Sequence, residues 1–247
     1  MRFVRLLAIL AVAGGCGGPS ARESFDRGVQ AFQQGDTVRA VKFFKAAVRR
    51  DPDFADAWYN LGVCHFTTSG RGQAVEYFRK AVRLKPQKVE HHLALSQALQ
   101  RMDSTRAATE VLHRALELFP ENAEIYFNLG YVYLFRARGD SAIWAYRRCL
   151  QMDPNNAEAW YNLAYSMTRP EQRRESLNYL RRAIKLNPGK LEAHYLLAMR
   201  LLDEPKLSFR EKEEVRNSLR KYIEAGAADK IKQQRIDEKL AKAGLNL

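Results

Sequence analysis

The chain has 247 residues, of which 46% are hydrophobic and 28% are charged, and its formal net charge at pH 7 is +13. This length excludes more than one or two globular domains, and the apolar content is sufficient for a continuous core. The excess of cations favours anionic partners such as nucleic acid, phospholipid headgroups, anionic glycans or an acidic protein, and the alternative is a solvated basic surface that only aids solubility.

The first stretch of the chain has the features of an export signal. Two arginines near the start precede residues 6–13, which are apolar but too short to span a bilayer as a permanent helix. Small residues then stand directly before Cys16 in the run Ala13-Gly14-Gly15-Cys16. This run resembles the bacterial lipoprotein signal, in which the cysteine becomes the lipidated first residue of the mature protein. We therefore predict a lipoprotein-type signal peptide over 1–15 and a tether over 16–20. A plain secretory signal and an uncleaved anchor or misassigned start are the alternatives.

Lipidation at Cys16 would also indicate where the protein resides. Several acyl chains on one residue anchor a protein stably, whereas a single chain is marginal. Gly17 and Gly18 follow the cysteine, and by analogy with enteric lipoproteins the absence of Asp there argues against retention in the inner membrane. The resemblance therefore implies a lipid anchor in the outer membrane, facing the periplasm. The alternative is a secreted or soluble periplasmic protein.

Most of the remaining chain is repetitive. Five of the chain's eight prolines are spaced 34 residues apart, namely Pro52, Pro86, Pro120, Pro154 and Pro188. Self-similarity at this period marks a solenoid, in which each repeat buries its apolar face against its neighbours. Each proline is expected just past a helix, because its ring and missing N–H prevent the helix from continuing.

The residues between the prolines recur as well. The second copy contains Trp58, Leu61, Gly62, Ala74, Phe78, Ala81 and Pro86. The fourth contains Tyr126, Leu129, Gly130, Tyr133, Ala142, Tyr146, Cys149 and Pro154, and the fifth contains Trp160, Leu163, Ala164, Leu180, Ala183 and Pro188. This pattern resembles the tetratricopeptide repeat, a pair of antiparallel helices. The resemblance implies an all-α, right-handed superhelical solenoid over 21–224, with repeats near 21–54, 55–88, 89–122, 123–156, 157–190 and 191–224.

After Pro205 the repeat pattern loosens. Residues 229–242 form a lysine-rich amphipathic pattern with Ile231, Ile236 and Leu240 on one side. A solenoid needs a terminal element with a polar outer face, so we predict a C-terminal capping helix and tail over 225–247. A helix lying on a membrane surface is the alternative.

Charged residues also recur with the repeat. The expected first helices begin with an acid in five repeats, namely Asp56, Glu90, Glu124, Glu158 and Glu192. Stabilisation by the helix dipole explains these carboxylates better than a metal or substrate site. The expected second helices carry basic pairs at Arg79-Lys80, Arg147-Arg148 and Arg181-Arg182. In the family these positions face the convex side, where they would contact anionic headgroups or glycan; the alternative is a solvated helix face.

In the tetratricopeptide family the first helices line a concave groove that binds protein segments. The resemblance implies that ten residues face it: Tyr59, Asn60, Phe66, Phe127, Asn128, Tyr131, Tyr161, Asn162, Tyr165 and Tyr195. Aromatic rings supply contact area at low entropy cost, and an amide can pair with a peptide group without reading its side chain. Asp26, Ala94 and Leu196 interrupt the series of asparagines. The alternative for each aromatic is packing between adjacent first helices.

Signals of enzymatic chemistry are missing from the sequence. It has no phosphate-binding glycine loop, zinc-protease helix or nucleophile elbow, so we predict no enzyme, no cofactor and no metal site. His92 and His194 occupy the Trp position of the repeat and are expected in the interior. Cys64 and Cys149 lie two repeats apart, so we predict two unpaired buried thiols.

Two functional hypotheses follow. The first is a lipid-anchored envelope scaffold that binds a partner protein or peptide in its groove, similar in layout to the type IV pilus pilotin or to an adaptor that gathers peptidoglycan hydrolases. The second is a basic module that binds anionic glycan or lipid. Binding that weakens steeply as the salt concentration rises would distinguish this module from the scaffold. Nucleic acid is not an expected partner of an exported protein.

Overall fold

The computed structural model describes residues 18–68, 70–136 and 138–247. Cys16 and the predicted signal peptide lie outside the described residues. The chain divides into two compact units, the first ending at His91 and the second beginning at His92. Within the described ranges, no helix is both long enough and apolar enough to cross a bilayer.

The first unit consists of α1 (Ala21–Gln33), α2 (Thr37–Arg50), α3 (Ala55–Thr67), α4 (Arg71–Leu84) and the first turn of α5 (Val89–Gln100). The second unit contains the rest of α5, then α6 (Thr105–Leu118), α7 (Ala123–Phe135), α8 (Gly139–Met152), α9 (Ala157–Ser166), a short 3-10 turn (Pro170–Gln172), α10 (Arg173–Leu186), α11 (Leu191–Leu201), α12 (Phe209–Glu224) and α13 (Lys230–Ala243). The prediction of an all-α chain of helix pairs with a terminal capping helix is confirmed.

The helices follow the period of the sequence. The first helices of successive pairs start 34 residues apart, at Ala21, Ala55, Val89, Ala123, Ala157 and Leu191. The second helices keep the same spacing up to α10, and α12 then begins two residues late. The loosened pattern near Pro205 therefore corresponds to a longer connection between α11 and α12.

One hydrogen bond explains why Trp and His occupy the same repeat position. A ring N–H there donates to the carbonyl of the proline six residues earlier, in the pairs Trp58–Pro52 (2.8 Å), Trp160–Pro154 (2.9 Å) and His194–Pro188 (3.1 Å). Because a carbonyl only accepts, the proton of neutral His194 lies on Nε2. His92 and His194 are both buried, which confirms the expected interior position.

The glycines of the repeat mark the closest approach of the two helices in a pair. A Cβ on the glycine would lie 2.5 to 2.6 Å from a ring carbon of the residue 16 positions later, in the pairs Gly28–Phe44, Gly62–Phe78 and Gly130–Tyr146. In the third and fifth pairs the later residue is leucine, and the earlier one has a side chain: Ser96–Leu112 and Ala164–Leu180. Glycine therefore appears where an aromatic ring must fit over the first helix.

Among the aromatics that pack over these glycines, Tyr146 carries a hydroxyl group, and burying that hydroxyl is energetically unfavourable. Its ring is fully buried, and its Oη has no hydrogen-bond partner among the described residues. Burial raises the pKa of this phenol far above its ordinary value. Phe44 and Phe78 fill the equivalent positions without a polar atom. We expect Tyr146→Phe to raise the free energy of unfolding by about 1 kcal/mol, because it removes a desolvated and unpaired hydroxyl.

Chemical denaturation of Tyr146→Phe and Tyr133→Phe provides the matched comparison. The Tyr133 hydroxyl lies 2.9 Å from His113 Nε2, so its removal is expected to lower stability. If the two variants change the free energy of unfolding equally, or if Tyr146→Phe lowers it, the Tyr146 hydroxyl has a hydrogen-bond partner in solution.

The last helix caps the core of the second unit. Ile236 and Leu240 are buried, together with Leu245 beyond the helix end, in a cluster that includes Leu201 and Val215. Ile231, which the amphipathic pattern placed on the same side, is instead 79% exposed. It lies in the first turn of α13, beyond the edge of that cluster. The apolar side of α13 therefore packs against the protein from Ile236 onward.

Helix termini correct one detail of the sequence analysis. Ser20, which was assigned to the tether, is the N-cap of α1: its hydroxyl accepts from the Glu23 backbone N–H at 3.1 Å, and the Glu23 carboxylate accepts from the Ser20 N–H at 2.7 Å. The capping box of α1 therefore includes the last residue of the predicted tether. Cys64 and Cys149 are free and buried, as predicted, and burial raises the pKa of their thiols to about 11 and about 12.

Candidate functional site

The predicted groove residues belong to both units. Tyr59, Asn60 and Phe66 lie on α3 of the first unit. The second unit holds the larger set, with Phe127, Asn128 and Tyr131 on α7, Tyr161, Asn162 and Tyr165 on α9, and Tyr195 on α11. Residues of α7 contact residues of α9, so these two first helices form one surface of the second unit.

Four of the predicted aromatics pack inside their own helix pairs. Their rings contact an aromatic of the following second helix, in the pairs Tyr59–Phe78 (5.6 Å between centroids), Phe66–Phe78 (6.3 Å), Phe127–Tyr146 (5.8 Å) and Tyr195–Tyr222 (5.0 Å). Tyr59 also stacks on His91 of α5, with 5.1 Å between ring centroids, so for Tyr59 the alternative of packing between adjacent first helices is confirmed. Each of the four side chains is half-buried and offers a ligand only part of its ring.

Two predicted aromatics remain open to solvent. Tyr131 is 51% exposed and Tyr165 is 48% exposed, and they occupy the same repeat position on α7 and α9. Phe135, one helical turn after Tyr131, is 67% exposed and was not among the predicted groove residues. The sequence signal that could have identified Phe135 is its spacing of four residues from Tyr131, since residues four apart share a helix face. We call Tyr131, Phe135 and Tyr165 the exposed aromatic patch.

The side-chain amides of the asparagines are less available to a ligand than the sequence pattern indicates. Asn60 Nδ2 donates to the Asp56 carbonyl at 2.8 Å, and Asn128 Nδ2 donates to the Glu124 carbonyl at 2.9 Å. One amide N–H of each residue is therefore used within its own helix. Asn128 and Asn162 are each only 8% exposed. A bound segment would reach the edge of these amides rather than the whole group.

Tyr161 is held in place by charges around its ring. Lys190 Nζ lies 4.6 Å from the ring centroid and forms an ion pair with Glu158 at 2.7 Å. Burial, with smaller contributions from Glu192 and other neighbours, raises the pKa of Tyr161 to about 12. The phenol is therefore a neutral hydrogen-bond donor at physiological pH. Its ring centroid lies 6.1 Å from that of Tyr165, which joins it to the exposed aromatic patch.

The recurrent acids lie in the first turns of α3, α5, α7, α9 and α11, as the helix-dipole explanation requires. Asp56 also pairs with Lys85 at 2.9 Å and Lys88 at 3.4 Å. Burial opposes its ionisation, but the hydrogen bonds and charges of these lysines outweigh burial and hold its pKa below the ordinary value. Within the described ranges, no group of three His, Cys, Asp or Glu residues has the geometry of a metal site.

The basic pairs on the second helices are partly neutralised by neighbouring acids. Arg147 Nη2 contacts Glu175 at 2.9 Å, and Arg181 forms two bonds with Glu214, at 2.8 and 2.7 Å. Each pair joins one second helix to the next within the second unit. These cations connect adjacent hairpins, which reduces the charge that they offer to an external anion.

Comparisons with known proteins agree with this geometry. Models described as tetratricopeptide repeat match residues 25–89, 89–132, 123–156 and 145–172. A search of curated proteins found no match.

Three solved structures illustrate the similarity. The chain is 25% identical to MamA, with a TM-score of 0.61, covering 70% of this chain and 94% of MamA. It is 24% identical to YrrB, described as a TPR protein with an unusual peptide-binding site, with a TM-score of 0.59 and coverage of 71% and 91%. It is 17% identical to a chain of the APC/C hetero-tetramer Cut9–Hcn1, with a TM-score of 0.68 and coverage of 90% and 43%. From its repeat period, its paired helices and these matches, the chain belongs to the tetratricopeptide repeat family.

Proposed function

We propose that the chain is a protein-interaction scaffold, lipid-anchored in the bacterial envelope, that binds an extended segment of a partner protein on the first-helix face of its second unit. The observation that carries this proposal is the exposed aromatic patch. Large exposed aromatics are uncommon on a surface with no binding role when they recur at one repeat position. Tyrosine is also among the residues that dominate the energetics of protein interfaces.

The spacing of the patch suits an extended ligand. Packed helices lie about 8–10 Å apart, and α7 and α9, which carry Tyr131 and Tyr165 at the same repeat position, contact each other. In an extended ligand of polyproline II conformation, side chains three residues apart lie on the same face and are separated by about 9 Å. One residue of the ligand would therefore contact Tyr131 and the third residue after it would contact Tyr165. The half-buried rings of Phe127 and Tyr161 would form the floor between them.

Alanine substitution of the patch tests this surface. A soluble library of random dodecapeptides is passed over the immobilised chain, and retained peptides are sequenced by mass spectrometry and resynthesised for titration. We expect Tyr131→Ala combined with Tyr165→Ala to weaken their binding by about tenfold or more, since interface tyrosines rank among the hot spots.

Trp144→Ala is the matched control for the patch. Trp144 is an aromatic on α8, and at 46% exposed it resembles the two tyrosines in accessibility. Its substitution should leave binding unchanged. Failure to retain any peptide, or equal losses in the control and the double variant, would exclude this face as the binding surface. Binding that weakens steeply between about 50 and 200 mM salt would instead favour the basic glycan- or lipid-binding module.

The proposed location depends on Cys16. The lipoprotein-type signal supports a lipid anchor in the outer membrane, and the combination of anchor and repeats supports a partner involved in envelope assembly, as in pilotin-like proteins. Metabolic labelling with a tagged fatty acid, followed by membrane fractionation, compares the wild type with Cys16→Ser. We expect label and membrane association in the wild type, and loss of both in the variant. Absence of label from the wild type would remove the anchor and leave a soluble scaffold.

A further inference from the structure

Arg200, in the last turn of α11, is an unexplained charge in the second unit. Its Nη1 atom is buried, and no residue in the described part of the chain accepts a hydrogen bond from it. Arginine stays protonated in proteins and its guanidinium only donates. Burial, reinforced by the charge of Arg173, lowers the pKa of Arg200. Buried polar groups normally have partners, so an unpaired guanidinium nitrogen requires an explanation.

A small cleft of about 200 Å³ adjoins this side chain. It lies where the end of α9, the start of α10 and the end of α11 come together, and it is lined by Met167, Thr168, Arg169, Arg173, Arg200 and Asp203. A water molecule occupies about 30 Å³ in the liquid, so the cleft is larger than a single hydration site. It is large enough for one carboxyl-bearing side chain and too small for a folded element.

The charges of the cleft do not balance. All but one of them contact a group of opposite charge, in the pairs Arg169–Asp140, Arg173–Glu204 and Asp203–Lys239. Arg200 is the remaining charge, and it forms no ion pair with any described residue. The cleft therefore has one positive charge in excess, with the fork of donor groups that matches a planar carboxylate.

The cleft lies at the end of the helix that carries part of the exposed aromatic patch. Two of its lining residues, Met167 and Thr168, follow Tyr165 by two and three residues at the end of α9. A segment lying over α9 could thus place one side chain against Tyr165 and another in the cleft.

We propose that Arg200 binds a carboxylate group of the partner segment. This inference rests on the proposed function, which it makes more specific: the partner carries an acidic side chain or its own C-terminus at this point. The single excess charge matches a carboxylate better than a doubly charged phosphate. A carboxylate in the cleft would compensate the charge of the Arg200 guanidinium through the part of that group that lines the cleft.

The peptide selection described above distinguishes the two sources of a carboxylate. Two random dodecapeptide libraries are used, one with amidated C-termini and one with free C-termini. A side-chain carboxylate is indicated when the amidated library yields peptides with Asp or Glu at one shared position. A terminal carboxylate is indicated when only the free-ended library yields peptides. In either case, replacing that carboxylate by its amide should weaken binding to the wild type by about tenfold.

Arg200→Met and Arg200→Lys complete the test. Arg200→Met should bind the acid and amide forms equally, and Arg200→Lys should retain part of the preference. Thermal melting of both variants serves as the folding control, and Arg200→Met should melt no lower than the wild type because it removes an unpaired buried charge. Peptides that depend on the aromatic patch but not on a carboxylate, or whose preference survives in Arg200→Met, would overturn this inference and leave the proposed function standing. Retention of no peptide from either library would overturn both.

Discussion

Gly62→Ala is expected to lower the free energy of unfolding by about 2 kcal/mol, although alanine is the better helix former by about 1 kcal/mol. The new Cβ would lie 2.5, 2.6 and 2.9 Å from three ring carbons of Phe78, which is buried and cannot move away freely. The helices of the pair would have to separate, or the ring would have to leave its rotamer. Urea denaturation of the two proteins measures the difference.

The chain itself suggests the compensating change. Its fifth helix pair has Ala164 and Leu180 at the positions of Gly62 and Phe78, so Gly62→Ala should be tolerated when Phe78→Leu is introduced with it. A double-mutant cycle should therefore show a favourable coupling of about 1 kcal/mol or more. Gly72→Ala is the matched control, because a Cβ at Gly72 meets nothing within 4 Å and the change should stabilise the protein. The packing explanation fails if Gly62→Ala behaves like Gly72→Ala.

Ile236→Asp is expected to lower the stability of the second unit by about 4 kcal/mol or more. Ile236 is fully buried in the cluster beneath α13, so the change removes apolar packing and places a carboxylate among apolar side chains. Chemical denaturation gives the magnitude. Hydrogen exchange should show the loss of protection beginning in α11, α12 and α13, since the stability of a repeat protein depends on contacts between neighbouring elements.

Ile231→Asp provides the comparison on the same helix. Ile231 is 79% exposed, and its substitution should change stability by less than about 0.5 kcal/mol. A helix lying on a membrane surface would behave differently, because Ile231→Asp would then weaken binding to anionic vesicles. Equal destabilisation by the two substitutions would contradict the capping role of α13. Vesicle binding that depends on Ile231 would show that α13 has a second role.

Much of the fold could be predicted because its signals are local and repeated. Each of the five repeat prolines lies just past a helix, and their spacing of 34 residues recurs four times, so an ambiguous repeat is placed by its neighbours. His194 illustrates this: its position in the period predicted burial, and the structure adds that its ring donates the same hydrogen bond as Trp58 and Trp160. The repeat position determined the environment even where the residue type had changed.

The binding face was less predictable, because exposure depends on residues distant in sequence. Phe127 and Tyr131 lie one turn apart on α7, yet one packs against Tyr146 and the other is half exposed. Arg200 gave no signal at all in the sequence. Its lack of a partner follows from Asp203, three residues away, contacting Lys239 instead, and that pairing depends on how α13 packs. Such competition among partners is decided only in the folded chain.

The capping box at Ser20 has a geometric consequence for an anchored protein. Only four peptide units separate Cys16 from Ser20, and they span about 14 Å when fully extended. With a lipid on Cys16, α1 would start within this distance of the bilayer, and the protein would diffuse in two dimensions. The partner would then have to be a membrane protein or one that is delivered to the membrane.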